Sequence, residues 1–143
     1  MELSLVIPAF NEEQWIGKTL DSVLRNAPDA FKEMIVVDNA STDRTAEIAR
    51  SYAGVRVVRE ERKGTGFARE RGFQEARGDV VAFIDADTRM RAGWAGKVRR
   101  AFADPKVACV SGPYWYYDLG FPASAVIVLC TWYLAYPVFL FID

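Results

Sequence analysis

The residues in this chain best suited to chemistry are acids. Asp85 and Asp87 stand one residue apart at the end of the apolar run Val80-Val81-Ala82-Phe83-Ile84. Two carboxylates this close repel each other, and a divalent cation would relieve the repulsion. Hard oxygen donors suit Mg²⁺ or Mn²⁺, which keep coordination positions open for substrate phosphate oxygens. Asp-x-Asp alone is common and also fits two solvated loop aspartates. Polar residues end other apolar runs as well. Asn11 and Glu12 follow Leu3–Ile7, and Asp38 follows Met34–Val37. The chain holds no histidine, which excludes His triads, His metal sites and His general bases within it.

The elements that position these acids read as alternating strands and helices. Leu3–Ile7 is predicted as the first strand, ended by Pro8, which lacks the N–H a ladder needs. Asn11 is the expected cap of a helix with the stripe Trp15, Ile16, Leu20, Val23 and Leu24. Met34–Val37 is the second strand. Asn39-Ala40-Ser41-Thr42-Asp43 is turn chemistry, and Thr45, Ile48, Ala49 and Tyr52 give the next helix its buried face. Val55–Val58 is a short third strand. The charged loop Arg59–Gly66 leads into a helix from about Thr65 carrying Phe67, Ala68, Phe73 and Ala76, interrupted by Gly72. Val80–Ile84 is expected as a central strand covered on both faces. Trp94, Val98, Ala101 and Phe102 mark a further helix, and Val107–Val110 a fifth strand. Such alternation implies an α/β sandwich with a mainly parallel sheet and helices on both faces. In a parallel sheet the carboxyl ends of neighbouring strands share one rim, so Glu12, Asp38, Asp85 and Asp87 are expected to converge there.

Composition sets the outer bounds. The chain has 143 residues, 51% hydrophobic and 26% charged, with a net charge of −1. That is a globular domain without a basic field for nucleic acid. Cys109 and Cys130 lack metal-ligand spacing and are expected to be buried, reduced thiols of a cytoplasmic domain. No signal peptide is read at the amino terminus. The glycines argue against a dinucleotide fingerprint: Gly64-Thr65-Gly66 lacks the full spacing and follows the third strand rather than the first. No P-loop is present, which leaves a metal at Asp85/Asp87 as the expected neutraliser of a diphosphate.

Taken together, VIPAFNEE, VVDNASTDRT, RKGTGFARERG and VVAFIDAD resemble the ordered signature of family-2 glycosyltransferases with the GT-A fold. The resemblance runs from Leu3 to about Gly112. It implies a Rossmann-like three-layer sandwich, a nucleotide-diphosphate-sugar donor, a divalent metal and inversion at the anomeric carbon. It further implies that Pro8, Ala9, Asn11 and Glu12 line the nucleotide pocket and that Asp38 hydrogen-bonds the base. Lys63 and Gly64 would approach the base or ribose-phosphate. Asp85, with Ala86, would lie against the ribose and the metal, and Asp87 would ligate the metal. Where relatives with a polyprenyl-phosphate acceptor often carry Gln, this chain has Arg89, so no third ligand is carried over. The family's catalytic base lies downstream of the fifth strand. No residue here is assigned that role, Asp118 being the only acid between Asp104 and Asp143. The chain is therefore expected to hold the donor half of a longer protein and to transfer sugar poorly by itself. Two competing readings remain: a sugar-nucleotide nucleotidyltransferase, and a non-catalytic nucleotide-binding fragment.

A composition shift near Tyr114 divides the chain into an expected donor-binding domain, 1–113, and an aromatic, apolar segment, 114–143. No residue from Leu119 to Ile142 is charged. As a helix, Phe121–Ile142 would be roughly 33 Å long, enough to cross a bilayer core. Pro122 and Pro137, with Trp132, Tyr133 and Tyr136, suit an interfacial helix better than a simple span. Spanning, interfacial and protein-packed readings all stay open. The first two imply membrane association at the cytoplasmic face and a lipid-linked acceptor.

Overall fold

The computed structural model describes residues 1–112. The chain divides into two compact units, Met1–Ala103 and Asp104–Asp143. All strands and helices among the described residues belong to the first. They are β1 (Leu3–Ala9), α1 (Ile16–Asn26), β2 (Glu33–Asp38), α2 (Thr45–Arg50), β3 (Val55–Arg59), α3 (Thr65–Glu75), β4 (Val80–Phe83) and α4 (Trp94–Ala101).

The four strands form one parallel sheet in the order β3-β2-β1-β4. From β1 the chain steps outward through β2 to β3. It then crosses back through α3 to set β4 on the other side of β1, so the strand order reverses between β1 and β4. Alternate residues of β1 serve opposite layers, as the two-residue period of a strand requires. Leu5, Ile7 and Ala9 pack with Ile16, Leu20 and Val23 of α1 and Ala49 of α2. Leu3 packs with Ala95 and Val98 of α4. Val6 faces the other way, into Ile35, Val37 and Ala68 of α3. The result is the expected three-layer sandwich, with β1 buried along its whole length.

Several expectations need correction. Pro8 does not end β1. It stays in register with Val37, and the strand runs to Ala9. The hydrogen bonds explain the tolerance. Leu3 and Ala9 offer their carbonyls toward β2, while Glu2 and Val6 offer theirs toward β4. An N–H at Pro8 would therefore point at β4, whose pairing has stopped at Phe83 opposite Val6. Proline is admitted where a ladder has already ended. β4 is an edge strand of the described sheet rather than a central one, and Phe83 is 37% exposed. Val107–Val110 forms no strand, and Cys109 is exposed rather than buried. Cys130 and the segment 114–143 lie outside the described residues.

The helix α3 also differs from its predicted stripe. Its buried positions are Ala68 and Gly72, while Phe67 and Phe73 are exposed. Gly72 is a contact rather than an interruption. A Cβ there would stand 2.2 Å from Val6 Cγ1 and 3.2 Å from Val37 Cγ2. The absent side chain is what lets α3 lie close against β1 and β2.

Candidate functional site

Open parallel sheets bind ligands in the crevice beyond the carboxyl ends of their strands, at the point where the strand order reverses. Here that point lies between β1 and β4. The β1 side supplies Glu12, and the β4 side supplies Asp85 and Asp87. The Glu12 carboxyl is raised above its ordinary value, first by burial and then by the negative charges of Asp87, Asp43 and Asp85. The acids from the two sides therefore act on one another, and Asp43 joins them from the loop before α2. Sequence reading took Asp43 only for turn chemistry. Asp85 is half-buried, and its Oδ1 accepts a hydrogen bond from Arg69 Nη2 of α3 at 2.8 Å. Asp87 is exposed.

Among the described residues no three carboxylate, thiol or imidazole groups are gathered into a ready-made ion cage. A Mg²⁺-like ion does not need one. It is commonly held by one or two carboxylates with substrate phosphates completing the shell. The oxygen-only donor set of Asp85 and Asp87, in a field negative enough to raise Glu12, fits such an ion.

The loops that carry these acids are tightly stitched. Asn11 adopts φ 55° and does not cap α1. Its Oδ1 instead accepts the Thr42 N–H at 2.8 Å, while its own N–H donates to Ser41 Oγ at 3.1 Å. The Glu12 N–H donates to Thr45 Oγ1 at 2.7 Å, and the Glu13 N–H to Asp43 Oδ2 at 3.0 Å. The first turn leading into α1 is closed by the Glu12 carbonyl, which accepts from the Trp15 and Ile16 N–H groups. Asn-Ala-Ser-Thr-Asp is thus the scaffold of the Asn11–Glu13 loop as well as a turn of its own.

The loop after β4 is braced by α1. Thr19 Oγ1 donates to the Ala86 carbonyl at 2.6 Å, and Ser22 Oγ accepts the Met90 N–H at 2.9 Å. Asn26 Nδ2 donates to the Met90 carbonyl at 2.8 Å. Steps of three and four residues put these side chains on one helix face. Ala86 itself is buried.

Asp38 sits one strand over from the reversal, level with Ala9 on β1. Its carboxylate is completely buried. Oδ2 pairs with Arg59 Nη1 at 2.6 Å, and Oδ1 accepts the Ser41 N–H at 3.1 Å. It is not among the charges that raise Glu12, so the acid field is Glu12, Asp43, Asp85 and Asp87. Pro8 and Ala9 are buried in the intervening strand.

Asn39, which sequence reading treated as a turn residue, holds the loop after β3. Its Nδ2 donates to the carbonyls of Glu60 at 3.1 Å and Arg62 at 2.7 Å, and its Oδ1 accepts the Gly64 N–H at 2.8 Å. Gly64 has φ 137°, a conformation side chains disfavour. In the same loop the Glu60 carboxyl is pulled down to about 2, chiefly by the hydrogen bond from the Arg62 guanidinium. This clamp presents the exposed Lys63, whose Nζ lies 5.6 Å from the ring centre of Phe10. Phe10 is 46% exposed at the end of β1. No periodicity flags it, because it lies between elements. The available signal was a large aromatic residue beside Asn-Glu where a polar one would be easier to solvate.

A family model described as Glycosyl transferase family 2 matches residues 4–130. The chain belongs to glycosyltransferase family 2. Among its relatives in the family, the putative glycosyltransferase EpsH of Bacillus subtilis is 33% identical over 106 residues, covering 71% of this chain and 30% of that protein. Glucosyl-3-phosphoglycerate synthase of Mycolicibacterium paratuberculosis is 41% identical over 93 residues, covering 59% and 28%. Dodecaprenyl-phosphate galacturonate synthase of Rhizobium johnstonii is 40% identical over 96 residues, covering 61% and 28%. The chain thus spans under a third of the length of these family members.

Solved structures agree on the fold. S. aureus TarS in complex with UDP-GlcNAc superposes with TM-score 0.65 at 26% identity, covering 83% of this chain and 39% of that one. Glucosyl-3-phosphoglycerate synthase of Mycobacterium tuberculosis, with Mn²⁺, UDP and glucosyl-3-phosphoglycerate, gives TM-score 0.54 at 36% identity, covering 59% and 33%. The fold of this family-2 chain is GT-A. Family membership also decides against the nucleotidyltransferase reading.

Proposed function

We propose that the crevice between β1 and β4 is the donor site of a glycosyltransferase, and that the whole protein transfers a sugar from a nucleoside-diphosphate-sugar with inversion. In this reading Asp87 and Asp85 hold a divalent ion against the diphosphate. The ion would supply charge stabilisation to the leaving nucleoside diphosphate. The residues of the chain do the rest. Glu12 and Asp43 add to the negative field that retains the ion, Arg69 orients Asp85, and the α1 brace holds Ala86–Met90 in place. Lys63, Gly64, Phe10 and Asn11 border the space where the nucleoside would lie. Asp38 would recognise the base once Arg59 releases its carboxylate. The observation that supports this reading is the meeting of Glu12 with Asp85 and Asp87 where the strand order reverses, the Glu12 carboxyl being raised by burial and then by the charges of Asp87, Asp43 and Asp85.

The reading extends in three finer steps. A divalent ion, Mg²⁺ or Mn²⁺, is supported by the Mn²⁺ present with UDP in the mycobacterial relative. A division into a donor-binding domain 1–113 and an apolar segment 114–143 is carried by the composition shift alone. An acceptor at the cytoplasmic membrane face is supported by the uncharged stretch 119–142 and by the relative named for dodecaprenyl phosphate. No helix among the described residues is long and apolar enough to cross a membrane. Flotation with liposomes, with and without residues 119–143, tests the last step. Equal flotation of both chains would remove it.

The central test is thermal stability with nucleoside diphosphates and nucleotide-sugars, with and without Mn²⁺. A ligand at about 100 times its Kd stabilises the folded state by about 2.7 kcal/mol. The expected outcome is a UDP shift that grows with Mn²⁺, the increment vanishing in Asp87→Ala. An increment that survives Asp87→Ala, or no dependence on the metal, overturns the assignment.

A further inference from the structure

Charge is unevenly distributed along this chain. Residues 88–103 carry five of its 18 Lys and Arg and none of its 19 acids, leaving thirteen cations against 19 acids, net −6, elsewhere. The stretch holds α4 and the turn before it. Arg89 already has a partner. The other four cations, Arg91, Lys97, Arg99 and Arg100, are all exposed. Among the described residues none of the four is in an ion pair. Arg99 donates to the Ala30 carbonyl, a neutral acceptor that leaves its charge uncompensated. Ala95 and Val98 turn the apolar side of α4 into the core beside Leu3. Lys97 and Arg100, three residues apart, share the outer side of the helix. The negative end of the helix accounts for Arg99 and Arg100, which lie in its last turn. It does not account for Arg91 and Lys97, which lie outside that turn.

The chemistry that fits is an extended anionic surface. Cations spread along the outer side of a helix suit an array of negative charges better than one small anion. The apolar side of α4 is already packed in the core, so contact would be with headgroups rather than acyl chains. Sites for single-stranded nucleic acid pair such cations with exposed aromatic rings on which bases stack. Trp94, the aromatic residue of α4, is instead half-buried against Phe31, with ring centres 6.4 Å apart. Arg100 precedes Leu119, the start of the uncharged stretch, by 19 residues. Lys and Arg within about 15–20 residues of an apolar membrane segment are the charges that meet the anionic cytoplasmic leaflet. We propose that α4 and its preceding turn, through Arg91, Lys97, Arg99 and Arg100, dock on an anionic lipid surface. The choice of lipid as partner rests on the membrane-face reading of residues 119–142, and the experiment separates the two.

The test uses the full 143-residue chain. Flotation with phosphatidylcholine vesicles, with and without phosphatidylglycerol, gives an affinity for each. The gain due to phosphatidylglycerol reads α4, because an apolar segment binds both kinds of vesicle. Each Lys or Arg near an anionic surface is worth about fivefold in affinity. The gain should therefore fall about fivefold in Lys97→Gln and about 25-fold when Arg100→Gln is added. Arg50→Gln removes an exposed cation from α2 at the same cost in net charge and should leave the gain unchanged. Raising the salt from about 0.1 M to about 1 M shortens the screening length from about 10 Å to about 3 Å and should abolish the gain. All three side chains are exposed, and circular dichroism with unchanged melting confirms that the variants fold. Absence of any gain in the wild-type chain overturns the proposal, whatever the binding to phosphatidylcholine alone. So does a gain that the double variant keeps, or that Arg50→Gln lowers as much. Tighter binding of single-stranded RNA than of phosphatidylglycerol vesicles, lost in the same double variant, gives the surface to nucleic acid and overturns it as well. Binding to phosphatidylglycerol vesicles alone, weakened by the α4 variants, supports the proposal and removes the membrane reading of residues 119–142.

Discussion

Glu12 reports on the crevice more directly than the two aspartates that the sequence singles out. Its carboxyl is raised by burial and by three neighbouring acids, so its ionised form is disfavoured in the folded chain. The folded state therefore holds the Glu12 proton more tightly than the unfolded state does. The resulting penalty is present at neutral pH and disappears as pH falls through the raised value. Glu12→Gln is expected to raise the melting temperature of the metal-free chain at neutral pH, with the gain shrinking in acid. Melting curves at about pH 7 and pH 4 check this. A variant that melts lower at neutral pH would mean that Glu12 is held by a favourable partner instead. Asp38 shows the opposite economy. It is wholly buried yet paired with Arg59 and the Ser41 N–H, so its charge is compensated within the chain.

The elements decide how firmly these groups are held. Gly72 lets α3 approach β1, and its replacement sets two effects against each other. Alanine is favoured over glycine in a helix by about 1 kcal/mol. Against that, its Cβ would overlap Val6 Cγ1, and overpacking of this kind costs about 1–3 kcal/mol. The contact is too short for a small adjustment, so Gly72→Ala should lower the urea midpoint rather than raise it. On the opposite face, Thr19→Val keeps the shape of the side chain but leaves the Ala86 carbonyl without its donor, at a cost of about 1–3 kcal/mol. If Thr19 positions the acidic loop, the same change weakens Mn²⁺-dependent nucleotide binding in excess of metal-free binding. Equal weakening of both would reduce Thr19 to a structural role. Most of these elements were legible beforehand. Continuous apolar runs marked β1 to β4, and three- and four-residue spacing marked α1. Val107–Val110 was misread because a short apolar run says nothing of whether a neighbouring strand is there to pair with it.

For the whole molecule, charge couples folding to pH. The carboxyls of Glu33, Asp43, Glu60, Glu75 and Asp79 are all lowered, Glu60 to about 2. For Glu60 and Glu75 the leading cause is a hydrogen bond from arginine, and for Asp79 it is the Glu2 N–H. For Glu33 and Asp43 burial pulls the other way, and several hydrogen bonds together outweigh it. Groups lowered in the folded state are protonated first in the unfolded state. Their stabilisation is complete above the ordinary carboxylate value and is lost as pH falls through the folded ones. Urea midpoints should therefore be flat near neutrality and drop steeply below about pH 4.5. Glu60→Gln should blunt the lower part of that drop, and an unchanged acid limb would show that the Glu60–Arg62 pair does not contribute.

The sequence alone determined the alternation of elements and the parallel sandwich, and it marked Glu12, Asp85 and Asp87 as candidates, because strand period, helix period and the intolerance of buried charge are local rules. Tertiary structure decided the rest. Which strand lies beside β1 depends on the path of α3 across the sheet, and that path put the reversal of strand order between β1 and β4, one strand away from Asp38. Asn39 reaching Arg62, Arg59 covering Asp38 and α1 gripping Met90 are contacts between residues more than twenty positions apart. No pattern within a window of sequence encodes such pairs, since they form only when separate elements are packed against the same sheet.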